Sequence, residues 1–565
     1  MHTDHAIHPR RCFTDVRHLL DFASTTYADR TAFSFRTDPQ RADITRISFA
    51  QLGRDVRALA TELLRLGCQG KHCALIGKTS YEWILTYYAT LCIGAVLVPL
   101  DHDWSAEELC DTATKANVAF VFAEEDVADR AAYIAARVPL DASPIHLSAE
   151  EQGNTLAAHL AAGRAAYDAD PTLYDGVTID PLKLALLVFT SGTTGKGKGV
   201  MLHQRAILSD MYHAVHYLDY GQCTVGVLPP HHTYGSTVMF LGHVMIGSEV
   251  YLSSSLRFIT KELAEQRPEH LVLVPLYLET FYRKIIASLK EKGKYRLVMA
   301  LIRVSNGLRR VGIDLRAKLF GAIHAVFGGR VKTVISGGAP LSREILSFFD
   351  SIGICVLNGY GITECAPLIS VNRSRHNVLG SVGHPIDGVE VTIDEPNEQG
   401  EGEILVKGEN VMLGYYGDAS ATAEAFTGGY FRTGDYGKID KHGVLYITGR
   451  KKNLIILSNG KNVYPEEIEN ELAATPGLLD IVVYEGHSRR GVLYNTIVAE
   501  IYPDRDFFKQ QGITDIDAYM KPFVDDFNRR AVPYKKIGLV RIRAEEFPKN
   551  TLRKIQRFKI DTTID

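Results

Sequence analysis

LALLVFTSGTTGKGKG, residues 184–199, passes from an apolar run into a cluster of glycines and hydroxyls. The apolar part has the length and composition of a buried strand, and the Gly-rich part cannot continue it. Thr190, Ser191, Thr193 and Thr194 place four hydroxyls within five positions. Hydroxyls donate to phosphate oxygens, while Gly192 and Gly195 let backbone N–H groups face one anion, and Lys196 and Lys198 add positive charge. The same stretch nearly satisfies the Walker A spacing from Gly192 to Lys198. Gly199, however, stands where a hydroxyl would hold Mg²⁺, and no convincing Walker B strand follows, so a P-loop NTPase is disfavoured.

Working outward, apolar runs that end in Gly or Ser recur in KHCALIGK (71–78), LVLVPL (271–276), KTVISGG (332–338) and CVLNGYG (355–361), with helical patterns between them. This alternation predicts an α/β class with ligands gathered where strands end. From about Gly380 the texture changes to alternating segments with turn residues, VEVTIDEPNEQGEGEILVKG and GKIDKHGVLYITGR, predicting antiparallel hairpins in a small β-barrel-like subdomain. Beyond the charged segment GRKKN (449–453), strand and helix patterns predict a small α+β domain.

The chain has 565 residues, too many for one hydrophobic core. A net charge of -3 gives no global attraction to nucleic acid or anionic membrane. Eight scattered cysteines form no C-x-x-C pair, which predicts reduced thiols. The first residues, MHTDHAIHPRRCF, lack the apolar core of a secretory signal, and no apolar run approaches the roughly 20 residues of a membrane span. A cytoplasmic location is expected. One local anomaly is the stretch 281–332, with 13 Lys or Arg against 2 Asp or Glu on a helical apolar pattern. It reads as helices packed on their own sheet with a solvated basic face, or as a contact for a membrane surface or an acidic protein.

The glycine- and hydroxyl-rich loop resembles that of the AMP-forming adenylating superfamily, which includes acyl-CoA synthetases, peptide-synthetase adenylation domains and luciferase. Further segments similar to that family follow in order: LPPHHTYG (228–235), SGGAPL (336–341), NGYGITECAP (358–367), YFRTGDYGKID (430–440), GRKKNLIILSNGKNVYPEEIE (449–469) and FPKNTLRKIQR (547–557). The resemblance implies a large domain of two α/β sheet layers over 1–449, a hinge at 450–452 with Lys452 as pivot, and a mobile domain over 453–565. It implies that His232 lies at the substrate carboxylate, and that Gly338, Ala339 and Pro340 run along adenine and acyl group. Asn358, Gly359, Tyr360 and Gly361 then form the adenine site, and Lys554 is the catalytic lysine. A loop near Gly460 would approach the acyl-adenylate in the second half-reaction. ATP, Mg²⁺ and CoA are the implied cofactors and co-substrate.

Residue chemistry agrees with these roles. The Tyr360 ring can stack on a purine. Thr363 can donate to the α-phosphate, and Glu364, with the hydroxyl of Thr194, offers the hard oxygens that Mg²⁺ prefers. Asp435 has two acceptor oxygens for ribose hydroxyls, and the fork of Arg450 can reach ribose or phosphate. Two departures from the family pattern stand out: Arg553 precedes Lys554 in place of the usual Gly, and Gly197 replaces the usual Pro. If Gly197 only loosens the loop, Gly197→Pro tightens ATP binding slightly.

HHTYGSTVMF carries no acid to hold an amino group, which disfavours amino-acid substrates. VPLYLETFYRK (274–284) is similar to long-chain acyl-CoA synthetases. Gly235 and Ser236 are small and consistent with an open acyl tunnel. The expected substrate is a medium- to long-chain fatty acid. The expected acceptor is CoA, the alternative being the phosphopantetheine thiol of an acyl carrier protein.

Overall fold

The computed structural model describes residues 5–38, 43–190, 197–253, 256–457, 462–487, 496–549 and 555–564. Strand Leu184–Thr190 sits inside a seven-stranded sheet, parallel to Val96–Leu100 on one side and antiparallel to Lys198–His203 on the other. His72–Ile76 and Val118–Ala123 extend the sheet, and Gly414–Tyr415 closes its near edge. A second sheet runs through His270–Leu273, Thr333–Ser336, Cys355–Gly361, Leu368–Val371 and His384–Pro385. Its first three strands are parallel. The four apolar runs outside 184–199 thus all appear as strands, as alternation predicts.

Helices Tyr81–Cys92 and Gln204–Ala214 share one core with both sheets. Every residue of Tyr81–Cys92 except Glu82 is buried. A helix that is apolar all round has no solvent face, so it must lie between layers. Ser80 caps it by accepting from the Trp83 amide at 3.2 Å.

The hairpins after Gly380 form the predicted antiparallel pairs, Val389–Asp394 with Gly402–Gly408 and Tyr430–Ile439 with Leu445–Arg450. They do not close into a barrel. Among the described residues Val389–Asp394 is paired on one side only, whereas closure requires both edges to pair.

In the basic stretch, Pro275–Glu291 and Tyr295–Arg309 are helices whose Leu278, Phe281, Ile285 and Ile302 pack with Phe327 and Phe349. The last part of the chain pairs Leu478–Gly486, Thr496–Pro503 and Ile537–Ile542 and packs them under Pro465–Leu472 and Ile516–Arg530 in a core of its own. The chain therefore has a large N-terminal domain and a smaller C-terminal one. Arg283 touches the small domain by donating to the carbonyls of Leu478 at 3.0 Å and Leu479 at 3.3 Å. All eight cysteines are free thiols, and only Cys12 is exposed. No described helix is long and apolar enough to cross a membrane.

Candidate active site

Cys355–Gly361 carries Asn358, Gly359, Tyr360 and Gly361 to the end of the second sheet. The Tyr360 hydroxyl donates to Asp435 Oδ2 at 2.7 Å. Asp435 is 3% exposed, and its Oδ1 lies 2.9 Å from Arg450 Nε. Asp435 and Arg450 are direct cross-strand partners in the hairpin, so their spacing in sequence is a consequence of register. Asp435 raises the pKa of Arg450, and burial, followed by the nearby Asp435, drives the Tyr360 phenol far above its usual value. Both carboxylate oxygens are engaged, yet a carboxylate has about four lone-pair sites, which leaves capacity for further hydroxyl donors.

Glu364 and Lys198 meet through Tyr415, a residue that no sequence motif singles out. The Tyr415 hydroxyl donates to Glu364 Oε1 at 3.0 Å, and Lys198 Nζ sits 4.6 Å from the Tyr415 ring centroid. Thr190 and Lys198 face each other in the ladder, so the two ends of the loop are held together. The only signal for Tyr415 lies in its pairing with Val200, which is tertiary. Thr363 and Glu364 are adjacent and half-buried, an oxygen-only set that fits a hard cation such as Mg²⁺. Asp210 is a second residue that sequence reasoning misses. Fully buried, it accepts from the Leu368 amide with both oxygens at 3.1 Å and so anchors the turn that carries Thr363 and Glu364. Burial pushes its carboxyl well above the usual range.

Gly338, Ala339 and Pro340 form an exposed loop beyond strand Thr333–Ser336, and Gly338 adopts φ of +88°, which favours glycine. An apolar cavity beside Tyr360 is lined by Tyr220, Tyr234, Val238, Gly338 and Leu368. Gly235 and Ser236 serve the backbone instead of widening a tunnel. A Cβ on Gly235 would stand 2.1 Å from the Pro229 carbonyl oxygen, and the Ser236 hydroxyl donates to the His232 carbonyl at 3.2 Å.

His232 lies on this loop with its ring against His231, centroids 4.3 Å apart. Burial, reinforced by His231, lowers its pKa from 6.5 to about 3. A depressed imidazole means that the unfolded chain binds more protons below pH about 6.5, so its stabilising contribution is complete above that value and is lost as pH falls toward 3. His232 is therefore expected to stay neutral across pH 5–8, and its ring resonances in an NMR titration should not shift over that range. A midpoint near the ordinary imidazole value would show an open site.

Gly197 reverses the sequence expectation. A Cβ there would lie 2.9 Å from the Thr190 carbonyl oxygen, and the Gly197 carbonyl already accepts from Lys115 Nζ at 2.9 Å. Pro would push position 197 away from the Thr190 carbonyl. Gly197→Pro is accordingly expected to weaken ATP binding, with an overpacking cost of about 1–3 kcal/mol; tighter binding by calorimetry would show that the loop relaxes freely.

Lys452 follows Arg450 in a 3₁₀ turn, and burial with the neighbouring Arg450 lowers its pKa. Ser191, Gly192, Thr193, Thr194, Gly460 and Lys554 lie outside the described residues. Lys549 and Ile555, on either side of Lys554, bridge each other, and Lys549 Nζ pairs with Asp480 at 2.7 Å.

The sequence profile described as AMP-binding enzyme matches residues 20–416. A long-chain-fatty-acid–CoA ligase of Mycobacterium bovis is 31% identical over 473 residues, covering 78% of this chain and 75% of that protein. A chloroplastic long-chain-fatty-acid–[acyl-carrier-protein] ligase of Arabidopsis thaliana is 29% identical, covering 82% of this chain and 73% of its own length. Among solved structures, ATP-bound MatB from Rhodopseudomonas palustris superposes with a TM-score of 0.74 at 25% identity, covering 96% of this chain and 97% of that one.

Proposed function

The chain belongs to the AMP-binding enzyme family, and from that membership we propose that it is an AMP-forming fatty-acid–CoA ligase acting on medium- to long-chain acids. The observation that carries this reading is that Tyr360, at the end of Cys355–Gly361, and Glu364, in the turn after it, head two polar sets, Tyr360–Asp435–Arg450 and Glu364–Tyr415–Lys198, with Glu364 near enough to raise the pKa of Arg450. We assign the adenylating domain to 1–449, the hinge to 450–452 and the mobile domain to 453–565.

In the first half-reaction the fatty acid carboxylate attacks the α-phosphorus of ATP. The new P–O bond forms as the bond to pyrophosphate breaks. Tyr360 stacks on adenine, Asp435 accepts from the ribose hydroxyls, and Arg450 orients the Asp435 carboxylate through their 2.9 Å contact. The loop 190–198 cradles the phosphates, and Thr363 donates to the α-phosphate. Mg²⁺ held by Glu364 and Thr194 would offset phosphate charge. Lys554 binds both reacting anions, which otherwise repel. Neutral His232 borders the acyl carboxylate without adding charge. In the second half-reaction the small domain turns about Lys452, Lys554 leaves, and the loop at Gly460 approaches. The CoA sulfur then attacks the acyl carbon, AMP departs, and the thiol proton is released.

Incubation with ATP, Mg²⁺, a fatty acid and either CoA or an acyl carrier protein tests this. AMP and acyl-CoA are expected. ADP as the only nucleotide product would overturn the adenylation, and turnover only with carrier protein would replace CoA by the acceptor named for the Arabidopsis relative.

The basic stretch 281–332 gives the enzyme a peripheral contact with the cytoplasmic face of an anionic membrane. Helix Tyr295–Arg309 exposes Leu297 (58%) and Val304 (59%) seven residues apart, and Val311 follows at 72%. Arg296, Arg303 and Arg310 flank them. Exposed apolar side chains among cations fit the interface of acidic lipids better than bulk water. Replacing Leu297 and Val304 together by Asp is expected to lower co-sedimentation with phosphatidylglycerol vesicles by at least about 10-fold, from the roughly 1.5–3 kcal/mol each buried side chain supplies. Unchanged sedimentation would remove the contact.

A further inference from the structure

Asp101, His102 and His231 form a cluster that no step above uses. Strand Val96–Leu100 delivers the first two at its end, and the loop after Cys223–Gly226 brings His231 beside them. One ligand atom from each lies within 4.8 Å of the others. Asp101 Oδ1 accepts from the Asp103 amide at 3.0 Å, and its Oδ2 stands 3.5 Å from His231 Nε2. His102 Nδ1 is 3.9 Å from Asp101 Oδ1, and His102 Nε2 is 3.4 Å from Asp103 Oδ1.

Several features separate this group from an ordinary ion-pair cluster. His231 is 5% exposed, and neither of its ring nitrogens makes a hydrogen bond with a described residue. His102 Nδ1 is also buried without such a bond. Stranding a buried polar atom costs about 1–3 kcal/mol, so native chains seldom leave several together. The gaps of 3.5 and 3.9 Å are long for hydrogen bonds. The shorter matches the spacing of donors that share one small cation, roughly 3.3–3.5 Å for bonds of about 2.0–2.1 Å, and the longer reaches it by a contraction of a few tenths of an ångström. Asp103, on the far nitrogen of His102, is where a carboxylate orients a ligating imidazole. Arg130 pins the loop by donating to the carbonyls of His102 and Trp104. The half-exposed His102 ring and the exposed Asp103 leave an entry path.

We propose that Asp101, His102 and His231 bind a divalent first-row transition ion, with Zn²⁺ as the reference case. The donors are one carboxylate oxygen and two imidazole nitrogens, with a further position open to water. Nitrogen donors separate this site from the all-oxygen preference of Mg²⁺. Because His231 packs on the ring of His232, a bound ion stiffens the loop that presents His232 to the acyl carboxylate.

The test uses full-length, tag-free protein stripped with a chelator and dialysed. Zn²⁺ is titrated by calorimetry, Co²⁺ is added for its absorption spectrum, and metal content is measured by mass spectrometry. The variants are His102→Ala, His231→Ala, Asp103→Asn and, as a surface control, His442→Ala. Wild type and His442→Ala are expected to take up Zn²⁺ stoichiometrically and to give a tetrahedral Co²⁺ spectrum. Asp103→Asn loses about 10–100-fold in affinity, the usual effect of removing an orienting partner. His102→Ala and His231→Ala lose more than that. Absence of uptake by wild type, or equal affinity in wild type and His102→Ala, overturns the site. His102 lies at a loop surface, so this comparison survives even if His231→Ala fails to fold.

Discussion

Lys554→Ala is expected to lose acyl-adenylate formation by about 10²–10³-fold while it retains thioester formation from supplied acyl-AMP. The asymmetry follows from charge. Carboxylate attack on the α-phosphate brings two anions together, and Lys⁺ offsets that charge only while the bond to phosphorus forms. Thiol attack on the acyl carbon has no such requirement. Pyrophosphate release with the fatty acid alone reads the first step, and acyl-CoA from synthetic acyl-AMP reads the second. Equal loss in both would remove the domain rotation about Lys452 from the mechanism. Lys554→Arg keeps the charge but not the compact ammonium, and recovers only part of the first step.

Asp435→Asn is expected to raise the KM for ATP by about 10- to 100-fold, from the roughly 1.5–3 kcal/mol of a hydrogen bond to a charged group. The carboxylate accepts from Tyr360 at 2.7 Å and faces Arg450 at 2.9 Å, so one substitution loosens the proposed adenine platform and the proposed ribose acceptor together. Loss of the negative charge also removes the influence that raises the pKa of Arg450. A steady-state KM for ATP that is unchanged, with the fold intact by circular dichroism, would take Asp435 out of the nucleotide site. Tyr360→Phe isolates the hydroxyl. It keeps the ring for stacking, so its effect should be smaller than that of Asp435→Asn.

Much of this site is legible in the order of residues along the chain. A strand that runs into Thr190 and a glycine-rich loop identifies an α/β sheet end, because residues that cannot continue a strand follow residues that form one well. The motifs GYGITE, FRTGD and GRKKN single out Tyr360, Glu364, Asp435 and Arg450. The small C-terminal domain, too, is visible as a second change of texture after Arg450, from alternating hairpin segments to mixed strand and helix patterns. Other features mislead when read locally. Small side chains at Gly235 and Ser236 suggest tunnel width, but the backbone of Pro229 and the carbonyl of His232 claim them. The predicted barrel is an open sheet, since alternation states which face is buried and not whether two edges meet.

Residue type and order along the chain thus determined the α/β class, the sequence of chemistry-bearing segments and the change of texture at Arg450, because local propensity and binary pattern act over a few residues. Only the tertiary structure decided that Tyr415 bridges Glu364 to Lys198, that Asp210 anchors the turn at Leu368, and that a side chain at Gly197 would crowd the Thr190 carbonyl. It alone also brought His231 beside Asp101 and His102. Most of these are contacts between residues far apart in sequence, set by strand register and by the packing of one layer on another, and no periodicity along the chain encodes which distant atom will stand opposite.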